Sequence, residues 1–289
     1  MKVRIGYGLG TQGLRDPHAA FPAVVAALER EGFDSLWLSE RIVSDALDPV
    51  VACAYAAACT TRLKLGFSVL VLPGRNPAVL AKELATLDVL SNGRLLPAFG
   101  LGVADEREQR AFRVERTQRG ALFDAVLPVV RRWWDGEEVD GVRIRPLPVQ
   151  RPLDVWLGGR APKELRRVGR LGDGWLPSFT TPAAAAAGRA VVEEAAAEAG
   201  RAVDPEHWGA LLPYGRDDLP PVVLETLARR LPHVDPAEVV PVGLPAVRRA
   251  VEGFVAVGFS KFVLVPLVEP ASWDDEVGEL AASVLDLQE

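Results

Sequence analysis

Two hydrophobic patterns alternate along the chain. Short, nearly continuous apolar runs lie at residues 3–8, 33–38, 63–72, 95–99, 154–157, around Trp175, and at 207–214 and 262–265. Such runs predict strands covered on both faces, as in a parallel sheet. Between them, apolar residues recur every three or four positions. That spacing predicts helices over 17–31, from 49, from 77, over 106–114, 117–134, 162–172, 182–199, 220–231, 244–257 and 273–287. Asp48-Pro49, Asn76-Pro77 and Thr181-Pro182 repeat one start signal. The side-chain oxygen caps free N–H groups, and proline opens the helix where its missing N–H is harmless. Gly32 is placed to close the first helix. Residues 137–152 interrupt the alternation as a polar, Pro-containing excursion before the fifth strand.

Eight strands, each followed by a helix, predict an α/β fold of the (β/α)8 TIM-barrel kind, as one domain over residues 1–289. An open doubly wound sheet needs fewer strands and a dinucleotide fingerprint, which Gly6-Tyr7-Gly8-Leu9-Gly10 imitates only in part. In a barrel the strand C-termini carry the chemistry, so the candidate residues are sought there.

Hydrophobic residues make up 49% and charged residues 25%, with a net charge of −6. That balance argues against a nucleic-acid or anionic-membrane surface. No apolar run reaches the length of a membrane span, and residues 1–10 read as a charged strand rather than a signal peptide, so a cytoplasmic protein is expected. Cys53 and Cys59 face different directions on one helix and read as small core residues of a reducing compartment. His18, His207 and His233 lack zinc-type spacing, and no metal is expected.

Two strand ends stand out chemically. Val155-Trp156-Leu157 runs into Gly158-Gly159-Arg160-Ala161-Pro162-Lys163, an apolar strand, two residues without Cβ, and a proline-started helix. Free amides and the positive end of the helix dipole would face whatever lies over the glycines, with Arg160 and Lys163 beside it: a phosphate cradle. The same residues also suit an ordinary β–α turn. Ser39-Glu40-Arg41 ends the second strand. Burial there would raise the Glu40 pKa and suit it to acid/base work, and Arg41 could hold an anion or a carbonyl. A solvated surface pair is the competing reading.

The strand–Gly-Gly–helix–Gly172-Asp173-Gly174-Trp175 succession resembles the luciferase-like monooxygenases and their coenzyme F420 (deazaflavin) oxidoreductase branch. Leu65 to Pro73 with Arg75-Asn76-Pro77, and the helix from Ala81 to Asp88 with Ser91-Asn92-Gly93-Arg94, carry the resemblance further. It spans residues 1–178, fades over 179–240 and returns weakly at 242–245 and 258–264. The resemblance implies that Gly158 and Gly159, with Arg160, receive the cofactor phosphate. It also implies that a cis Ser68–Val69 peptide backs the cofactor ring, and that Gly100 and Gly102 let the cofactor approach the backbone. Asp105 or Glu106 would be a second acid beside Glu40. Asp88 and Arg94 are expected to pair, and Tyr7, Trp37, Phe67, Phe99 and Trp175 are candidate ring-packing walls. Where relatives often place histidine after the acidic residue, this chain has Arg41, which stays protonated and cannot be a base. That departure turns the expectation from alcohol oxidation toward reduction of a polarised double bond in a small molecule. Two alternatives stay open: an FMN-dependent monooxygenase fed by a partner flavin reductase, and a flavin-binding relative without catalysis. A homodimer is expected.

Overall fold

The computed structural model describes residues 1–231 and 234–288, and His233 lies outside the described residues. In chain order the strands are β1 (Arg4–Gly8), β2 (Ser35–Leu38), β3 (Lys64–Phe67), β4 (Leu70–Val71), β5 (Leu95–Leu96), β6 (Ala98–Gly100), β7 (Trp156–Leu157), β8 (Gly174–Trp175), β9 (Gly209–Tyr214) and β10 (Lys261–Pro266). The helices are α1 (Pro17–Glu31), α2 (Pro49–Cys59), α3 (Pro77–Leu90), α4 (Glu106–Phe112), α5 (Arg116–Trp134) and α6 (Pro162–Leu171). They continue with α7 (Pro182–Glu198), α8 (Pro221–Arg230), α9 (Pro236–Val239), α10 (Leu244–Ala256) and α11 (Trp273–Val284). Asp48, Asn76 and Thr181 each cap the helix that their proline opens, accepting from Val51, from Ala78 and Val79, and from Ala184. Gly32 ends α1 with φ 85°.

All strand pairings between the named strands are parallel. One ladder runs β5-β3-β2-β1-β10-β9, the other β4-β6-β7-β8. The third expected strand is β3 and β4 in succession, parted by a cis Ser68–Val69 peptide, and the fourth is β5 and β6 on either side of Pro97. Each of these broken strands belongs to both ladders. Parallel bridges Trp175–Trp208 and Ser178–Leu211 join β8 to the β9 side, so the ring of eight strands closes as a (β/α)8 barrel.

Two indoles fill the barrel's interior, and glycines make the room. A Cβ on Gly66 would stand 2.4 Å from Trp37 Cε3, and one on Gly174 would stand 2.5 Å from Trp156 Cδ2. Trp37 Nε1 donates to Ser35 Oγ at 2.8 Å, so its polar atom is satisfied inside. The excursion over 137–152 carries cis bonds before Pro146 and Pro152. Asp88 tethers it, accepting from Val149 N, Gln150 N and Gln150 Nε2 at 2.7–3.0 Å.

The expected Asp88–Arg94 pair is therefore not formed. Arg94 instead donates to the carbonyls of Ala57, Thr60, Leu63 and Ser91, closing the exposed carbonyl end of α2. Cys53 is buried, but Cys59 is exposed, because the face of α2 that holds it points away from the barrel. Of the proposed aromatic walls, Phe99 alone reaches the mouth of the barrel. Tyr7 packs outward on Phe33 and Trp273, and Trp175 on Trp208 and Phe259. Phe67 joins that same outer core, and Trp37 lies among the interior residues below the mouth. Alternation of side chains along a strand decides this, and an apolar run hides which face each residue takes.

Candidate active site

A cavity of about 300 Å³ opens at the C-terminal ends of the strands. Glu40, Ser68, Val69, Gly100, Gly102, Gly158 and Gly159 line it; Arg41, Asp105 and Arg160 do not. The turn after β2 delivers Glu40, the β3–β4 break delivers Ser68 and Val69, and the ends of β6 and β7 deliver the glycines.

Val69 sits between two glycines. A Cβ on Gly100 would lie 2.5 Å from Val69 Cγ2, and one on Gly158 would lie 3.0 Å from Val69 Cγ1. These glycines therefore seat a valine, which with Phe99, Leu157, Leu176 and Val265 gives the cavity an apolar wall. Such a wall suits a flat ring and excludes water from it. Ser39 Oγ reaches the Ser68 carbonyl at 2.9 Å and Ser68 Oγ at 3.1 Å, fixing the β3–β4 break from inside the mouth.

Glu40 is nearly enclosed, its side chain 3% exposed. Oε2 accepts the Val71 N–H at 2.7 Å, and Oε1 pairs with Arg75. Burial pushes its carboxyl up from the ordinary glutamate value, and Arg75 and the Val71 N–H offset only part of the rise. Arg41 turns away to the rim, where Nη2 meets Asp105 Oδ2 at 3.0 Å and Nε lies 3.8 Å from Glu108. Glu108 also accepts the Val43 N–H at 3.0 Å, so Arg41 and Glu108 fasten the loop after β2 to α4. Arg107 first, and Arg41 after it, hold the Asp105 carboxyl well below the usual aspartate range.

At the glycine turn after β7 the expected free amides are not free. Glu164, three residues into α6, accepts the N–H groups of Arg160 and Ala161, each at 2.9 Å. Its side chain crowds the Cβ position of Gly159, whose φ is 113°. Arg160 reaches sideways to the Phe179 carbonyl. The apolar wall thus fits a tricyclic ring, whereas the helix end already holds an anion of its own. Sequence reasoning missed Arg167, which lines the cavity one turn along α6, and Arg75, the partner of Glu40. The spacing of Glu164 and Arg167, three residues apart on one helix, was the signal for the former. Arg75 carried none, because it meets Glu40 only through the tertiary fold. Among the described residues no cluster of His, Cys, Asp or Glu could hold a metal ion, and no helix is long and apolar enough to cross a membrane.

Parallel strands closing on a filled interior, with a buried carboxylate in an apolar mouth, define a (β/α)8 barrel with its cavity at the strand C-termini. The description "Luciferase-like monooxygenase" matches residues 2–220, and the chain belongs to that family. A Mycobacterium tuberculosis protein provisionally named a coenzyme F420-dependent oxidoreductase is 30% identical over 204 residues, 62% of this chain and 56% of that protein. The chain spans about half the length of the curated relatives it matches. An F420-dependent secondary alcohol dehydrogenase solved with an F420–acetone adduct superposes with a TM-score of 0.81 at 19% identity, covering all of both chains. The FMN-bound oxygenating constituent of 3,6-diketocamphane monooxygenase from Pseudomonas putida gives 0.77 at 17% identity, covering 100% of this chain and 99% of that one. At such identities the two structures share the fold.

Proposed function

We propose that the protein is an oxidoreductase that uses coenzyme F420 to reduce a polarised C=C, C=O or C=N bond in a small organic substrate. The observation that carries this reading is Glu40, a buried carboxyl of raised pKa in an apolar cavity at the barrel's mouth. When bound, the deazaflavin supplies a hydride. The chain supplies the rest. Val69, seated between Gly100 and Gly158, gives the ring a surface to lie on, and the apolar side chains around it keep water out. Glu40 holds a proton at Oε1 in competition with Arg75 and delivers it to the reduced atom. Arg41 and Asp105 enter the reading as a rim pair that holds the loop carrying Glu40. With a guanidinium where relatives often have histidine, that position supplies no base for alcohol oxidation.

The reading takes residues 1–289 as one barrel domain of a cytoplasmic protein that acts as a homodimer. In support of the dimer, α2 carries no charged residue and leaves Val51, Ala54, Tyr55, Ala58 and Cys59 exposed. The competing ligand is reduced FMN delivered by a partner reductase, for which the same apolar wall is suited. Fluorescence quenching by F420 and by FMN separates the two. Tighter F420 binding, with single-turnover oxidation of reduced F420 by an enone or imine substrate, is expected. Binding of FMN alone, with oxygen uptake by the reduced complex, would overturn the F420 reading.

A further inference from the structure

The ionised side chains that line the cavity are Glu40, Glu164 and Arg167, and each is already answered. Arg75 meets Glu40, two amides meet Glu164, and Asp124 meets Arg167. All of them come from the stretch between the end of β2 and α6. The remaining arc, from β8 through β9 and β10 to β1, brings no charged residue to the cavity. It contributes Leu211 and Pro213 from β9, Leu267 after β10, Leu9 after β1 and Phe179 after β8.

Position in the ring of strands makes this arc the second wall of the site. Val69 stands on the third of the eight strands and Leu211 on the seventh, β9, so the two face each other across the barrel. Both are partly buried against the same interior cluster around Trp37 and Trp156. A ring lying on Val69 therefore turns its free face toward Leu211 and Pro213. Phe179 extends that wall with a left-handed backbone, φ 50°, which a bulky residue rarely adopts. Arg160 holds its carbonyl. Phe179 and Leu267 also pack against Leu227, Leu231, Val239 and Val240 of the α8–α9 segment.

The polar side chains of the arc are uncharged. Gln12 donates Nε2 to the Leu267 carbonyl at 2.8 Å. The hydroxyls of Thr11 and Ser178 line the cavity's polar margin and carry no hydrogen bond among the described residues. Thr11 follows β1, which pairs with β2, the strand that delivers Glu40. A charged ligand on this wall would lose hydration and meet no counter-ion, whereas an apolar one gains by leaving water. We propose that the substrate is a neutral, largely apolar molecule held between the cofactor ring and the β8–β9–β10–β1 wall. The Thr11 hydroxyl donates to the heteroatom of the bond being reduced. This deepens the oxidoreductase reading and rests on it for the ring.

The test uses cyclohexenones that differ in one substituent: a methyl ester, a carboxylate or an aminomethyl group, the last two ionised at neutral pH. Calorimetry measures their binding to the full chain with and without F420, and oxidation of reduced F420 measures turnover. Wild type is expected to bind the ester and to disfavour both charged rings by roughly a hundredfold or more. Leu211→Lys should admit the carboxylate and abolish the preference for the ester over it. Leu211→Gln, polar but uncharged, should keep that preference. Thr11→Val should raise KM for the ester by roughly tenfold, the size of one lost hydrogen bond, and Thr11→Ser should restore it. A charged ring bound by wild type within about tenfold of the ester overturns the proposal, as does an ester that fails to bind at millimolar concentration. An ester KM unmoved in Thr11→Val overturns the role of that hydroxyl. Ester binding with the expected preference, but no oxidation of reduced F420, removes the reductase reading and leaves the substrate class standing.

Discussion

At the scale of single residues, Glu40 carries the clearest consequence. Its folded pKa is raised, so the protonated acid persists above the ordinary glutamate range and is lost as pH rises through the raised value. Turnover limited by proton delivery should fall along that limb. Glu40→Gln is expected to lower single-turnover reduction by roughly 10²-fold and to flatten the limb, with cofactor affinity little changed. Arg75→Met, which removes the cation holding the carboxylate form, should move the limb to higher pH. Stopped-flow rates across pH for the three proteins check both, and a limb unmoved by either change would remove Glu40 from proton transfer. The sequence made Glu40 legible because an acidic residue at a strand end is a local feature. Arg75 is thirty-five positions away and was not legible as its partner.

At the scale of elements, the interior of the barrel depends on glycines that the sequence shows only as strand residues. Gly66→Ala would drive a Cβ to 2.4 Å from Trp37, whose indole is held by Ser35 Oγ. Overpacking of this kind destabilises by about 1–3 kcal/mol, and a lower denaturant midpoint at unchanged m-value is the expected result. Tyr55 makes a prediction about α2. It is 45% exposed on a helix without charge, and a helix apolar on every side is usually covered. Tyr55→Asp should shift sedimentation from dimer to monomer while leaving the far-ultraviolet circular dichroism intact. A dimer unaffected by the change would place the interface elsewhere. The caps and proline starts of α2, α3 and α7 were readable because they depend on neighbours one to three residues away. The amides at the start of α6 were misjudged for the same kind of reason. Glu164 is local enough to cap them, and its place at the third helical position was the sign.

Across the whole molecule the two ends of the barrel carry different electrostatics. The floor holds Asp34 against Lys261 and Lys64, at 2.5 and 3.0 Å. Burial would raise the Asp34 carboxyl, but the two ammonium groups outweigh it and hold it down at about 2. Burial pushes Lys261 down to about 8, so it is protonated throughout the acid range in which Asp34 titrates. Its stabilisation is present above the unfolded value of 3.8 and is lost as pH falls through about 2. The difference corresponds to about 2 kcal/mol. Unfolding midpoints measured from pH 5 to pH 2 should fall less steeply for Asp34→Asn, which should also be less stable than wild type at neutral pH. An equally steep fall in both proteins would assign the acid limb to other carboxylates. The sequence by itself determined the alternation of strands and helices, the barrel that follows from it, and the strand ends where a site had to lie. These depend on periodicity and on residues adjacent along the chain, which the order of amino acids contains directly. Only the tertiary structure decided which strand residues point inward and that Arg41 faces Asp105 rather than the cavity. It also decided that Glu164 stands on the amides awaiting an anion, and that Arg167 reaches the cavity wall while paired with Asp124. Side-chain direction and charge pairing across the mouth arise when distant segments are brought within a few ångströms, and no local pattern encodes which of several nearby charges will meet.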